Sequence, residues 1–290
     1  MHSMKLLNGS GIINILKMGI NEFFKDKVAF VTGSSKGIGK ATAMLLGQYG
    51  AKVCINGRNI VSLEETYREL TTKNITCLRL PGDVSDSDQC REMIDRIINK
   101  YGRLDVLVNN AGIGSHGKFS DLKIEAWDKV VGINLMGSIY MSKYALPHLI
   151  ASNGSIIFIS TLAGKLGMPG HSAYSVSKMG LSALTQAMQI ELKDAGLHTG
   201  IIYVGFTENE ENKQILYPDG TYRKLPERKQ KKASREDVAK AIARSVYKKK
   251  KSVTLSAVGK LQAFGLRFFP FIIKMILNKA NRDYDSMYDQ

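Results

Sequence analysis

The sequence predicts an α/β protein with a doubly wound parallel sheet and a C-terminal helical extension. Two observations predict this class: six short apolar runs rich in Val and Ile, and longer amphipathic stretches that alternate with them. Continuous apolar runs are typical of strands buried on both faces. Strands that alternate with helices form parallel sheets with right-handed crossovers, so we expect helices on both sides of one sheet.

The predicted elements follow one another in a regular order. The strands are the segments 27–33, 51–57, 75–83, 103–110, 154–160 and 198–204, with a further short strand at 252–256. The helical patterns cover 39–49, 62–71, 87–100, 122–150 and 173–195. Residues 208–235 form a long polar excursion, near whose end Ser234 begins one more helix in a pattern that resembles a capping box.

Length and composition place the chain among globular proteins. Its 290 residues are 44% hydrophobic and 23% charged, which excludes collagen-like, coiled-coil and low-complexity classes. The three cysteines are scattered, so we expect reduced thiols in a cytoplasmic protein and no disulfide framework. Asn, Gly and Ser interrupt the apolar segment near the N-terminus, so a signal peptide is not expected, and residues 1–17 are a candidate added or misassigned leader.

The net charge of +15 is concentrated near the C-terminus. Residues 223–282 hold 18 Lys and Arg residues but only three acidic residues, so the remainder of the chain is neutral. We expect this end to meet a partner of opposite charge. No nucleic-acid-binding motif is visible, so nucleic acid is not an expected partner.

The last apolar segment, residues 261–277, lies beside these basic residues. It is 17 residues long and contains Arg267, Pro270 and Lys274, whereas a spanning helix needs about 20 mostly uncharged residues. Two interpretations stay open. Residues 223–282 attach to an anionic surface on the inner face of a membrane, or the segment packs in a homo-oligomer while the lysines are solvated.

A glycine-rich turn follows the first predicted strand and opens the first helix. Its spacing, TGxxxGxG, begins at Thr32. Glycines let the backbone turn sharply and let a pyrophosphate approach a helix N-terminus, where unpaired N–H groups and the dipole favour anions. The turn therefore predicts a dinucleotide site formed by Gly33, Ser35, Lys36, Gly37, Ile38 and Gly39. The alternative is a tight connection without a ligand.

The end of the second predicted strand indicates which dinucleotide binds. An NAD site usually has an acidic residue there, which would repel a 2′-phosphate. Segment 55–59 has no acidic residue, and Arg58 together with Lys36 can pair with a phosphate. We therefore expect NADP(H). The alternative is that Arg58 is an ordinary solvated arginine at a helix start.

Tyr174 and Lys178 lie four residues apart at the start of a predicted helix, hence on one face of it. A phenol has an unperturbed pKa near ~10, and a nearby cation favours the phenolate. The pair predicts an acid/base couple, although this spacing alone is a common coincidence. No metal site is expected, because four histidines without metal-ligand spacing are interpreted as surface or loop residues: His116, His148, His171 and His198.

With these motifs in order, the chain resembles the short-chain dehydrogenase/reductase family over residues 27–205, and more loosely to about residue 255. Further matching positions are Asp83-Val84, Asn109-Asn110-Ala111-Gly112, Asn134 and Ser160-Thr161. The resemblance implies a single-domain Rossmann-like fold. It assigns 1–24 to an N-terminal extension, 25–257 to an NADP-binding catalytic domain with a substrate lid at about 205–233, and 258–290 to a basic, apolar C-terminal segment.

The resemblance also implies roles for these residues. Tyr174 would exchange a proton with the substrate oxygen, Lys178 would favour the phenolate and bind the nicotinamide ribose, and Asn134 would hold a water in the proton relay. The adenosine half of the cofactor would contact Asp83, Val84, Asn110, Ala111 and Gly112. Met168 and His171 precede Tyr174 in the loop that borders the family's substrate pocket.

The sequence departs from the family pattern at two places. The substrate-binding serine normally lies 13 residues before the tyrosine; here that position is Thr161, which keeps a hydroxyl, with Ser160 as the alternative. The segment that normally reads Pro-Gly-x-x-x-Thr is Val-Gly-Phe-Thr-Glu-Asn, so either Thr207 or Asn209 would contact the carboxamide.

The expected function is carbonyl reduction. Membrane-associated members of the family use NADP to reduce hydrophobic ketones, so the resemblance implies a lipid- or steroid-like ketone or secondary alcohol as substrate. Family members are commonly dimers or tetramers, which implies a homo-oligomer. The alternatives are a 3-oxoacyl or small-ketone reductase, a catalytically quiet NADP(H)-binding regulatory or interaction protein, and a purely structural membrane-surface protein.

Overall fold

The protein is built around a parallel β-sheet, seen in a computed structural model that describes residues 19–207, 214–224, 233–256, 261, 264–265 and 268–282. The strands of these residues are β1 (Val28–Val31), β2 (Lys52–Gly57), β3 (Cys77–Pro81), β4 (Val106–Asn109), β5 (Gly114–Ser115), β6 (Ser155–Thr161), β7 (His198–Val204), β8 (Gln214–Leu216), β9 (Tyr222–Lys224) and β10 (Ser252–Thr254). The main sheet has the order β3-β2-β1-β4-β6-β7-β10, and all its neighbouring strands are parallel.

The helices of the described residues connect these strands. They are α1 (Ile20–Phe24), α2 (Gly37–Gln48), α3 (Ile60–Thr72), α4 (Ser87–Tyr101), α5 (Ile124–Val131), α6 (Gly137–Ala151), α7 (Ser172–Glu191), α8 (Arg235–Tyr247) and α9 (Pro270–Arg282). The predicted start of α8 is confirmed, because the Ser234 hydroxyl accepts a hydrogen bond from the Asp237 backbone N–H at 3.0 Å.

Alternate residues of each strand enter two separate cores. In β1, Ala29 and Val31 pack with α2, α3 and α8 on one face of the sheet. Val28 and Phe30 pack with α4, α6 and α7 on the other face. The predicted α/β fold with a doubly wound parallel sheet is thus confirmed, since successive strand side chains point to opposite faces and both faces are covered.

The short helix α1 packs into the first of these cores. Phe24 is fully buried, with its ring 5.0 Å from that of Phe23 and 6.0 Å from that of Tyr49. Phe23 in turn lies 5.3 Å from Tyr247 of α8. The segment 1–24 was predicted to be an extension before the domain, but Ile20, Phe23 and Phe24 pack in its core.

The predicted helix over 122–150 is interrupted. It consists of α5, a π-helical turn at Gly132–Met136, and α6. The turn contains Asn134, whose amide accepts a hydrogen bond from Ile113 N–H at 2.8 Å and donates to Ile113 O at 3.0 Å. Hydrophobic periodicity does not reveal such a turn, because the apolar residues on both sides of it keep a helical spacing.

A second, small sheet covers one side of the carboxyl edge of the main sheet. It has the order β5-β8-β9, with β5 and β8 parallel and β8 and β9 antiparallel. Strands β8 and β9 belong to the segment interpreted as a polar lid. Leu216 is buried there against Leu122 and Val130, so this part of the segment has its own apolar packing.

Two of the histidines interpreted as surface or loop residues are buried. His198 begins β7, with Nδ1 3.2 Å from Ser155 Oγ and Nε2 3.0 Å from the Lys250 carbonyl oxygen. Desolvation lowers the pKa of His198 to about 4. His116 is also buried, between the rings of His171 and Tyr217. His116 lies in a loop, as interpreted, but it is not at the surface, and the interpretation of His198 was wrong because it lies in a buried strand. The residues that bury the two rings come from segments distant in sequence.

The C-terminal extension includes the 13-residue helix α9. Among the described residues, no helix combines the length and the hydropathy needed to cross a bilayer. The residues assigned to the leader at 1–17, and Asn209 in the segment after β7, lie outside the described part of the chain.

Candidate active site

The turn between β1 and α2 needs glycine for two reasons, a positive φ angle at some positions and close packing at others. Gly33 and Gly37 have φ of +59° and +60°, a region that residues with a Cβ atom rarely adopt. A Cβ atom on Gly39 would lie 2.6 Å from the amide nitrogen of Asn110, and one on Gly33 would lie 2.7 Å from the Cα of Ala111. The turn is therefore packed tightly against the segment after β4.

Buried polar side chains hold this turn in place. Asn56, almost fully buried at the end of β2, accepts a hydrogen bond from Gly33 N–H at 3.2 Å and donates to Leu80 O at 3.1 Å. The Ser34 hydroxyl donates to Val31 O at 2.6 Å and accepts from Asn56 N–H at 2.9 Å. Ser34 and Asn56 were not predicted as site residues; the signal in the sequence was an amide side chain inside an apolar strand.

The N-terminus of α2 opens on this turn. Lys36 is the N-cap residue, and no side chain caps the helix by a hydrogen bond. Ser35 lies next to β2, because a Cβ atom on Gly57 would be 2.9 Å from its hydroxyl, whereas Ile38 packs against the core. Backbone N–H groups at the start of a 12-residue helix favour an anion, so the turn fits a dinucleotide pyrophosphate.

The two side chains predicted to bind the adenosine half contact each other. Arg58 Nη1 lies 3.2 Å from Asp83 Oδ2, and both side chains are partly exposed. Burial alone raises the pKa of Asp83, but hydrogen bonds from Ser85 and the charge of Arg58 outweigh it and lower the pKa overall. Asp83 is therefore an ionised acceptor, and Val84 beside it is buried.

The segment after β4 joins the glycine turn to the catalytic side of the site. Asn110 donates from its amide to Thr32 O at 2.9 Å and to Gly33 O at 3.0 Å. A Cβ atom on Gly112 would lie 3.0 Å from Asn134 Oδ1 and 3.4 Å from Lys178 Nζ. Ala111 lies between these residues, so positions 110–112 contact both halves of the site.

Tyr174 and Lys178 lie on the same side of α7, as predicted. The Lys178 ammonium is 5.9 Å from the centre of the Tyr174 ring. It is buried and donates a hydrogen bond to the Ile159 carbonyl oxygen of β6 at 3.0 Å. A buried ammonium held against a strand has a fixed position, so its field acts on the first turn of α7.

The two candidate hydroxyls at the end of β6 differ in their surroundings. Ser160 is buried, and its hydroxyl donates to the Lys178 backbone oxygen at 3.2 Å. Thr161, the last residue of β6, is only partly buried. The Ser160 hydroxyl thus fixes α7 on the sheet, whereas Thr161 is placed nearer to the open edge.

Asn134 links the catalytic residues to the segment after β4. Besides its two bonds to Ile113, its amide donates to the Ser177 hydroxyl at 3.1 Å. Ser177 lies between Tyr174 and Lys178 in sequence, and its hydroxyl also donates to the Tyr174 backbone oxygen at 2.8 Å. The structure therefore brings Asn134, Tyr174 and Lys178 into one group.

The loop before α7 is held by the small sheet. His171 Nδ1 lies 2.8 Å from Ser115 O in β5, and its ring centre is 5.0 Å from that of His116. On the lid side, Thr207 forms an isolated bridge with Ala233. His116 and Tyr217 were not predicted as neighbours of this loop, because they come from segments far before and far after it in the sequence.

Comparisons with known proteins identify relatives of this chain. The short chain dehydrogenase family model matches residues 27–217. The 3-oxoacyl-(acyl-carrier-protein) reductase FabG of Thermotoga maritima is 35% identical over 190 residues, which cover 63% of this chain and 74% of that protein. Dehydrogenase/reductase SDR family member 7B of Rattus norvegicus is 32% identical over 243 residues, which cover 81% and 74%.

Solved structures show the same architecture. A metagenomic short-chain oxidoreductase in complex with NADP superposes with a TM-score of 0.67 at 28% identity, covering 80% of this chain and 98% of that one. A short chain dehydrogenase/reductase from Burkholderia phymatum in complex with NAD has a TM-score of 0.73 at 22% identity, covering 84% and 95%. The latter likeness concerns the fold alone.

This chain belongs to the short-chain dehydrogenase/reductase family. It is an oxidoreductase of a family that acts on carbonyl and alcohol groups with a nicotinamide cofactor.

Proposed function

We propose that this protein is an NADP(H)-dependent oxidoreductase that acts on a ketone or secondary alcohol of a hydrophobic, lipid- or steroid-like molecule. The observation that carries the proposal is the convergence of Asn134, Tyr174 and Lys178 beside Gly112. When bound, the nicotinamide supplies the hydride chemistry. The glycine turn and the N-terminus of α2 would hold its pyrophosphate.

The catalytic side chains have different roles in this proposal. Tyr174 gives a proton to the substrate oxygen during reduction and takes it back during oxidation. Lys178, fixed by Ile159 O, stabilises the phenolate and binds the nicotinamide ribose. Thr161 donates a hydrogen bond to the substrate oxygen, a role that its partial exposure favours over the buried Ser160. Asn134 supports the water through which the proton is replaced.

The preference for NADP(H) rests on charge. The end of β2 presents Arg58 and no acidic side chain, and Lys36 lies at the start of α2. An arginine pairs with a phosphate through two N–H groups. Arg58 is half exposed while it contacts Asp83, so its guanidinium is accessible from solvent. The carboxamide of the nicotinamide would contact Thr207 or Asn209.

The proposal of a hydrophobic substrate is based on the side chains around the loop before α7. Met168 and Phe206 are exposed apolar side chains on the loop and the lid segment. A relative named as a 3-oxoacyl-(acyl-carrier-protein) reductase favours a narrower alternative, a 3-oxoacyl or small-ketone reductase. Assembly into a homo-oligomer is also proposed, because members of the family are commonly dimers or tetramers.

A series of ketones of increasing hydrophobicity tests the function. Purified protein is mixed with NADPH, and consumption of NADPH is followed at fixed concentrations of small ketones, 3-oxoacyl thioesters, long-chain ketones and steroid ketones. We expect kcat/KM to be highest for the long-chain or steroid ketones. A maximum at the small ketones would reject the hydrophobic substrate, and a maximum at the thioesters would favour the narrower alternative.

A catalytically quiet NADP(H)-binding regulator is the second candidate. Thr161 in place of serine and the altered segment after β7 favour it. The same assay separates the two, because a regulator would bind NADPH tightly and consume none with any ketone of the series.

A further inference from the structure

The C-terminal helix α9 turns its apolar side away from the protein body. More than half of the surface is exposed at Phe271, Ile272, Met275 and Ile276 of α9, and also at Phe268, which precedes the helix. Their spacing of three and four residues places them along one stripe. Of the 17 large hydrophobic side chains exposed in the described residues, eight lie between residues 261 and 276. The exposed apolar surface is therefore concentrated at one place.

The opposite side of α9 faces the protein. Lys274, Leu277, Asn278 and Asn281 line a cavity of about 490 Å³ together with α7 and the loop at 167–169. A surface helix of a globular protein normally buries its apolar stripe and exposes its polar side. Here the polar side lines the cavity, and the apolar stripe faces away from the part of the chain that the structure describes.

The charge around α9 decides between two occupants. Lys279 and Arg282 lie in its last turn, and the whole region 223–282 holds 18 basic and three acidic residues. A second copy of the chain would bring the same positive charge to the contact and be repelled. An anionic lipid surface offers apolar depth and opposite charge together.

We propose that α9 lies in the plane of an anionic membrane, with its apolar stripe below the headgroups and with Lys279 and Arg282 of its last turn at the headgroups. This goes beyond the proposed reaction and does not depend on it. The loop at 167–169 lines the same cavity as α9 and precedes Tyr174. The membrane therefore lies on the side of the protein where this loop reaches the surface.

Vesicle co-sedimentation tests the proposal with the full chain. Phosphatidylcholine vesicles with and without phosphatidylserine are mixed with wild-type protein at low and high salt. We expect binding to the phosphatidylserine vesicles, weaker binding at high salt, and little binding to phosphatidylcholine alone. The variant Ile272→Ser/Ile276→Ser should bind about tenfold more weakly, because two side chains that enter the bilayer are lost.

The matched control replaces two isoleucines that are more exposed but lie elsewhere, Ile124 and Ile190. Ile124→Ser/Ile190→Ser should bind vesicles like the wild type. Equal weakening in both variants, or no vesicle binding by the wild type, overturns the proposal. A wild-type oligomer in light scattering that Ile272→Ser/Ile276→Ser dissociates, without vesicle binding, would instead assign the stripe to a second copy. None of these measurements uses a substrate, so their failure leaves the proposed reaction untouched.

Discussion

Two buried amides fix the backbone on both sides of the site. Asn56 binds the glycine turn and the end of β3, and Asn134 binds Ile113 and Ser177. Each amide joins segments that are far apart in sequence. A side chain without the same donors and acceptor would leave buried backbone groups unpaired, at a cost of about 1–3 kcal/mol. Their first role is therefore to position other groups.

His198 makes the stability of the fold depend on pH. Its folded pKa of about 4 lies below the ordinary value of 6.5, so the unfolded chain binds the proton more tightly. The stabilisation is present above pH 6.5 and is lost as the pH falls toward 4. In urea unfolding, the free energy of unfolding of the wild type should fall by about 2 kcal/mol between pH 7 and pH 5 because of this histidine. The variant His198→Gln should not show this part of the decrease. Parallel pH profiles for both proteins would contradict this burial.

At the scale of residues, the sequence predicted what local spacing determines. Tyr174 and Lys178 share a helix face because they are four residues apart. The glycines predict a turn because they have no side chain. Asn56 was not predicted because its hydrogen-bond partners come from the turn after β1 and from β3. The sequence alone does not show that these segments lie next to Asn56. The contact of Arg58 with Asp83 was not predicted either, because the two residues follow different strands.

At the scale of elements, α1 is a short helix that nevertheless buries two phenylalanine side chains. It has five residues and no side-chain cap, so it cannot be stable on its own. Its two phenylalanines pack against Tyr49 and Tyr247. Tertiary contacts therefore hold it, and it closes the core at one end of α2 and α8.

The variant Phe24→Ala tests this packing. Removal of a fully buried phenylalanine should lower the free energy of unfolding by about 3–5 kcal/mol, because the apolar transfer energy is lost and a cavity is left. Urea denaturation measures it. Phe271→Ala is the matched control, since its ring is exposed and its removal should change stability by about 0.5 kcal/mol or less. A Phe24→Ala protein as stable as this control would place α1 outside the domain.

The central strands β1, β4, β6 and β7 were predictable because burial on both faces makes them mostly apolar. The small sheet was not, since β5 has two residues and β8 and β9 have three each. Segments this short carry no periodicity, and β5 pairs with a strand far along the chain, since Gly114 lies opposite Ile215. The π-helical turn was hidden for a related reason, because its signature is a backbone hydrogen-bond pattern rather than a residue type.

At the scale of the molecule, the parallel sheet gathers the site at one edge. The glycine turn follows β1, Arg58 follows β2, Asp83 follows β3, and Thr161 ends β6. The carboxyl ends of parallel strands share an edge, and ligands bind there in open α/β sheets. One extended ligand can therefore contact elements from both halves of the domain.

Cofactor binding should stabilise the whole molecule. A ligand at about 100 times its Kd adds about 2.7 kcal/mol, which for a protein of this size raises Tm by about 5–10 °C. Differential scanning fluorimetry should give this shift with NADPH and a smaller one with NADH at equal concentration. Arg58→Ala should reduce the NADPH shift and leave the NADH shift unchanged. Equal shifts with both nucleotides in the wild type would contradict the proposed preference for NADP(H).

The most direct test of the proposed reaction is the variant Tyr174→Phe, which removes one hydroxyl group and keeps the ring. NADPH-dependent ketone reduction should fall by about 100-fold or more, since the proton donor is lost, while titration of NADPH fluorescence should give an unchanged Kd. A variant that keeps wild-type turnover would contradict the assignment of Tyr174 as the acid/base.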